Sequence, residues 1–196
     1  MRKPSLLPIV ALLALVAAAL ACSLPVGGPS RPGAEIPVSE AAADRAEQAV
    51  RTALEAAAQT RSFTITLSQA EVTSWVVLRA GEYALQVGEK VPLDNLQIYL
   101  DDGVIRLYGD YDDRGVAAQA LVTVRPSVTP AGLIDAQITA AQVGPVTLGD
   151  ADLQSLNAAV QDALRALNDR LAGSYRVIGL LIDDGSAVLS GVVTGD

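Results

Sequence analysis

The sequence predicts an α+β domain in which long amphipathic helices pack on antiparallel strands. Two observations lead there. Alternating apolar runs are joined by Asp-Gly turns: Leu96, Ile98 and Leu100 precede Asp101-Asp102-Gly103, with Val104 to Tyr111 after them, and Arg176 to Ile182 and Ala187 to Val193 flank Asp183-Asp184-Gly185. Such a turn between alternating runs signals a hairpin, because glycine takes the positive φ that a tight reversal needs. Between and before these hairpins, other stretches repeat their apolar residues every three or four positions, which is the period of a helix with one buried face.

Taken in order, the chain begins with a short cationic segment, Met1-Arg2-Lys3, and an apolar run from Leu6 to Leu20 broken only by Pro8. That is the layout of a signal peptide over residues 1–21. The 15-residue run is shorter than the ~20 residues that span a bilayer comfortably. Residues 22–38 follow as a flexible tether: four prolines and three glycines between Ser23 and Val38 leave no hydrophobic period. Residues 39–60 are rich in Ala, Glu, Arg and Gln without Gly or Pro, the composition of a helix interior. Ser39 is its N-cap, Glu40 suits the first turn, and Ala43, Ala46, Val50, Leu54 and Ala57 or Ala58 form a thin apolar stripe. The stripe fits either close packing through alanines or a solvated spacer, and packing is the expectation.

Residues 61–196 are expected as one α+β domain, a reasonable size for a single core. Phe63 to Leu67 alternate as a strand, and Ser68-Gln69-Ala70-Glu71 is a capping box. It opens a helix reaching about Val87, with Val72, Trp75, Val76, Ala80, Tyr83 and Val87 on one face. After the first hairpin come longer strands at Val116 to Val128 and Leu133 to Val143, then a short one at Pro145 to Leu148. A second helix starts at Asp150 or Asp152, carries Leu153, Leu156, Val160, Leu164, Leu167 and Leu171, and ends at Gly173. Ile65 to Trp75 aligns with Val146 to Leu156, and Leu100 to Gly109 aligns with Ile182 to Gly191. These matches suggest a duplicated strand-helix-hairpin unit with halves 63–111 and 145–193, although turns and helix starts draw on the same few residues everywhere.

Composition excludes several function classes. With no histidine and one cysteine, imidazole metal sites, His-dependent nucleophile systems and internal disulfides are ruled out within one chain. The 14 basic residues against 22 acidic ones offer no stripe for nucleic acid. Loss of Arg2 and Lys3 with the signal would leave 12 basic and 22 acidic side chains, a net charge of −10. Asp110, Asp112 and Asp113 begin like a calcium loop, but Arg114 stands where an oxygen ligand belongs and no Glu closes it. The other acidic pairs fall in hairpin turns, where solvent leaves little to raise a carboxyl pKa for acid-base work. No catalytic residue, metal or cofactor is expected, and the chain does not read as an enzyme.

Two resemblances add to this reading. Ala19-Leu20-Ala21-Cys22 at the end of the apolar run resembles the lipobox of bacterial lipoproteins, departing from it at Ala19, where that family more often has leucine. The resemblance implies that Cys22 is lipidated and becomes the first residue of an extracytoplasmic protein anchored to a bacterial cell membrane. A thiolate is the right nucleophile to accept a diacylglyceryl group. Two or three acyl chains, at ~0.8 kcal/mol per buried CH₂, hold more firmly than one. The alternative is a plain secretory signal or uncleaved anchor with Cys22 incidental. The order signal, strand, long helix and hairpins, each ending in an Asp-Gly strand pair, also resembles small envelope proteins of the LmeA and YpmS type. That resemblance implies a tubular lipid-binding (TULIP) fold: a long helix in a curved antiparallel sheet with apolar ligand between them.

Small strand residues, among them Ala117, Ala118, Ala120, Ala136, Ala140 and Ala141, are compatible with a cavity facing a helix or with tight packing. The last hairpin is apolar on both faces and is expected in the core. Candidate ligand-lining residues are Val72, Trp75, Val76 and Tyr83 on the first helix and Leu156, Val160 and Leu164 on the second. Two functional readings follow. One is a membrane-tethered module that holds a lipid or other apolar molecule between helix and sheet. The other is an envelope lipoprotein that contacts a protein partner and has no ligand cavity. Neither engages nucleic acid.

Overall fold

The computed structural model describes residues 28–80, 93–113, 116–171 and 173–195. Residues 1–21, expected as a signal peptide, Cys22, Tyr83, Val87 and Arg114 lie outside them. In chain order the elements are α1 (Glu40–Thr60), β1 (Ser62–Ser68), α2 (Gln69–Trp75) running into a π-helical turn (Val76–Ala80), β2 (Leu93–Asp101), β3 (Val104–Asp113), β4 (Val116–Val128), β5 (Ile134–Val143), β6 (Val146–Thr147), α3 (Asp150–Leu171), β7 (Tyr175–Asp183) and β8 (Ser186–Val193). The architecture is α+β with two antiparallel sheets, one ordered β1-β8-β7 and the other β2-β3-β4-β5-β6.

Local chemistry explains the helix starts. The Ser39 side chain accepts a hydrogen bond from the Ala42 N–H, and α1 buries Ala42, Ala43, Ala46 and Ala57. Alanine lets α1 approach closely, so the helix packs rather than standing free as a spacer. Its C-terminal half covers the three-stranded sheet, where Ala57, Phe63 and Ile65 form a core with Val50, Leu54, Tyr175 and Leu189 around it. Phe63 meets Tyr175 edge to face at 6.0 Å. At α2 the capping box is complete, with Ser68 and Glu71 satisfying each other's backbone N–H groups. Glu40, Asp44 and Glu47 share one face of α1, and Arg79 reaches all three at 3.1, 3.0 and 2.7 Å. The clamp ties α1 to the π turn.

The α2 segment departs from the expected stripe. Thr73 and Ser74 are the fully buried residues, while Trp75 is 46 % exposed. The reason is polar satisfaction, not apolar period: the Thr73 hydroxyl donates to the Ile98 carbonyl and accepts from the Ile98 N–H, both at 3.2 Å. Ser74 Oγ accepts from the Ser39 N–H at 3.2 Å. A buried hydroxyl costs little when both of its roles are filled.

Residues 28–38, expected within the flexible tether, instead run as a strap along the five-stranded sheet. Ile36 is 4 % exposed, packed with Tyr99 and Tyr108. Its N–H donates to Gln97 Oε1 at 2.6 Å, and the Tyr99 hydroxyl donates to the Ala34 carbonyl at 3.0 Å. Prolines that exclude helix also restrict the unfolded chain, which favours a docked extended conformation once one aliphatic anchor is present.

The two Asp-Asp-Gly turns meet. The Gly103 N–H donates to the Ile182 carbonyl, and the Gly185 N–H donates to the Leu100 carbonyl, both at 3.0 Å. Counting from its turn, each hairpin keeps five register pairs before a bulge, at Asp94/Gln97 in β2 and at Val177/Gly179 in β7. Behind this junction Ile98, Leu100 and Ile182 form a core that Val72, Val76, Ile105, Leu107 and Leu180 pack against.

Candidate ligand-binding face

Register decides which side chains share a face, because directly paired residues in an antiparallel sheet point the same way. Ile98 pairs with Leu107, Leu107 with Val122, and Val122 with Ala141; Ile105 pairs with Val124, and Val124 with Ile138. One face of the five-stranded sheet is therefore continuous aliphatic surface, extended by Pro126, Val128, Ile134 and Ala136. From Leu96 to Leu100, Ile105 to Tyr111, Ala118 to Val128 and Ile134 to Val143, no charged residue stands on it. Arg106, Thr123 and Gln137 occupy the opposite face.

This face is covered unevenly. At β2 and β3 it is sealed by Val72 of α2, Val76 of the π turn and Leu180 and Ile182 of β7. Further along, Val122, Val124, Val128 and Ile134 are only half-buried, and none belongs to a packed cluster among the described residues. The cause is the seating of α3, which lies against the outer edge of β5 and does not cross the face. Asn157 Oδ1 accepts from the Ile138 N–H at 2.7 Å and its Nδ2 donates to the Ile138 carbonyl at 3.0 Å. Asn168 does the same to Ile134, at 3.0 and 2.8 Å. Gln161 donates to the Ala136 carbonyl at 2.9 Å. Three amides on one helical stripe thus supply the hydrogen bonds that another strand would have made.

The same contacts orient the helix. Gln161 also donates to Asp135 Oδ1 at 2.7 Å, and Asp135 alternates with Ile134 and Ala136 toward the opposite face. At 100° per residue the leucine side of α3, from Leu164 through Val160 to Leu167 and Leu156, turns toward the aliphatic face. The result is a gutter with a floor of strand aliphatics and a leucine wall. Leu156 is 38 % and Leu167 42 % exposed.

Of the sequence-derived candidates, Val160 and Leu164 are half-buried on that wall and Leu156 is exposed beside it. Val72 and Val76 belong to the core at the other edge. Trp75 points away from that core, and Tyr83 lies outside the described residues. The structure thus separates the two helices to opposite edges of one sheet. Sequence reasoning missed the floor residues Leu107, Val122 and Val124, whose signal was the alternation along β3 and β4. It also missed the amides Asn157, Gln161 and Asn168, spaced along one helical stripe. Of the small residues, Ala120 and Ala141 are buried on this face, whereas Ala117 and Ala140 are exposed. The last hairpin is not wholly core: Val177 and Ile182 are buried, but Ile178 is 61 % and Leu181 59 % exposed.

The opposite face carries the strap and two clefts beside it. One, of about 610 Å³, is lined by Arg31, Glu35, Ile36, Asn95, Tyr108 and Gln119 among others, and the second is about 390 Å³. In the larger cleft Arg31 bonds Glu35 at 3.1 Å and lies 5.8 Å from the Tyr108 ring centroid. Asn95 donates to Asp110 at 2.7 Å. Burial pushes the Tyr99 phenol up. No group of His, Cys, Asp and Glu among the described residues is placed to hold a metal, and no helix among them is long and apolar enough to cross a membrane. No family model, curated protein or solved structure matches the chain.

Proposed function

We propose that this chain is an extracytoplasmic lipoprotein, anchored to a bacterial membrane through Cys22, that holds a lipid or other apolar molecule in the gutter between α3 and the five-stranded sheet. The observation that carries the proposal is the half-buried aliphatic floor of Val122, Val124, Val128 and Ile134 beside the leucine wall of α3, where Leu156 and Leu167 are exposed. Leaving contiguous apolar surface in water costs about 25 cal/mol per Å², and a patch of aliphatics from several adjoining strands beside an apolar helix side is the kind of surface that marks a binding site. The gutter supports a TULIP-like reading in having a long helix beside an apolar sheet face. It differs in seating that helix on the sheet edge. The gutter offers no cation along its floor, so recognition rests on the apolar part of the ligand. The protein is not read as an enzyme.

The test is native mass spectrometry and lipid extraction of residues 28–196 purified without detergent, the strap being included because Ile36 belongs to the packed structure. A co-purifying lipid, displaced by a fluorescent fatty acid, supports the proposal. A clean apo protein that takes up no fatty acid overturns it and favours the protein-partner reading, for which exposed Ile178 and Leu181 on β7 are the specific observation. For the anchor, labelled palmitate should enter the wild-type chain and not Cys22→Ala; equal labelling removes it.

A further inference from the structure

The β2 edge of the five-stranded sheet and the Ile134 to Ile138 stretch of β5 that β6 leaves unpaired are both closed by helix side chains, but the two closures differ. At β2, Thr73 is fully buried while bonding Ile98, and Gln69 Oε1 accepts from the Leu100 N–H at 3.4 Å. The Ile98, Leu100 and Ile182 core stands directly behind them. At β5, Asn157 and Asn168 are half-buried and Gln161 is exposed, with no buried cluster under α3 among the described residues. Of the β5 residues bonded, Ile134 and Ala136 are half-buried and Ile138 is 7 % exposed, so water reaches the Asn168 and Gln161 bonds first, whereas opening β2 would expose the core behind it. The ends of α3 are also permissive. Gly149 and Gly173 have open space around them, Gly173 at φ +93°, so the backbone can turn there without a side chain colliding.

We infer that α3 is the movable wall of the gutter, an amide-latched helix that leaves the β5 edge while the rest of the sheet stays folded. Opening breaks the Asn157, Gln161 and Asn168 bonds to β5 and widens the space above Val122 and Val124, the route by which a long apolar molecule enters from the side. This use as a gate rests on the ligand reading above; the motion does not. Local openings of this kind occur in elements with few buried apolar contacts and solvent-reachable hydrogen bonds.

Hydrogen exchange of the ligand-free full chain tests it. The amides of Ile134 and Ile138, which face α3, should exchange about 100-fold or more faster than that of Ile98, with little dependence on denaturant. Those of Asp135 and Gln137, which alternate toward β4, should stay protected. The double variant Asn157→Ala with Asn168→Ala, which removes the latch without lowering helix propensity, should speed exchange at Ile134 and Ile138 further. Exchange of Ile134 and Ile138 at the rate of Ile98, or a double variant that leaves both unchanged, overturns the inference. Fast opening in a chain that takes up no fatty acid supports the motion and removes the ligand reading alone.

Discussion

Replacing Thr73 with valine keeps the side chain's shape and removes only its hydroxyl, so it isolates the polar closure of β2. The hydroxyl makes two hydrogen bonds, each 3.2 Å, to the N–H and carbonyl of Ile98, a residue 3 % exposed. Valine leaves both backbone groups buried without a partner, at about 1–3 kcal/mol for each. The extra buried methyl offsets roughly 0.8 kcal/mol of this. Thr73→Val should therefore destabilise by about 1–5 kcal/mol, lowering Tm by roughly 2–20 °C for a chain of this size. Urea unfolding followed by circular dichroism measures it, with the m-value unchanged if the native state keeps its extent. A loss below about 0.5 kcal/mol, the scatter of ordinary surface substitutions, would show that the Ile98 groups find other partners and would refute the edge-closure argument.

Other expectations follow from the same structure. Val122→Arg should abolish uptake of a fluorescent fatty acid while leaving the unfolding midpoint within about 1 kcal/mol of wild type, because the half-buried position lets the long side chain reach solvent; uptake at the wild-type level would dissociate the gutter from binding. Gly191→Ala should destabilise by about 1–3 kcal/mol, since a Cβ there would overlap the Phe63 ring and come within 2.6 Å of the Arg176 carbonyl oxygen; calorimetry decides it. The Glu71 carboxyl is shifted by burial, which raises its pKa, and by the Ser68 backbone and hydroxyl bonds and Arg45, which together outweigh burial and hold it below the usual range. A depressed folded-state pKa means stability that is complete above the ordinary glutamate value of about 4.3 and is lost as pH falls through the lower one. Glu71→Gln should flatten the acid limb of the stability curve in that window, and an unchanged limb would assign acid sensitivity elsewhere.

The sequence disclosed those elements whose causes are local. Ser39, the Ser68–Glu71 box, the two Asp-Gly turns and Gly173 each act on residues within four positions, and helix starts and hairpins lie where expected. The helix after Ser68, expected to about Val87, is instead α-helical only to Trp75 and π-helical to Ala80, with Val87 outside the described residues. What stayed hidden depends on partners distant in the chain. Ile36 sits in a Pro/Gly-rich stretch with no period, and its burial needs Tyr99 and Tyr108. The Thr73 hydroxyl is an unremarkable polar residue on a helix until Ile98 lies beside it. The leucine period of α3 was legible, but which neighbour that side faces was set by Asn157, Gln161 and Asn168 bonding β5. The candidate site was therefore half visible: its helical wall showed in the sequence, while no strand residue of its floor was singled out, the small strand residues fitting a cavity or tight packing equally.

Among the described residues β1 pairs with β8 alone, with Ser68 opposite Ser186 and Ser62 opposite Val192. During synthesis, then, the first strand waits for the last. Until the final hairpin has emerged, Phe63, Ile65 and the alanine face of α1 have no sheet to complete, and pairing across such sequence separation is slow and exposes aggregation-prone surface. A chain cut short before Ser186 loses the centre of its three-stranded sheet, so truncations near the C-terminus should be recovered as insoluble or degraded material, not as a shortened domain.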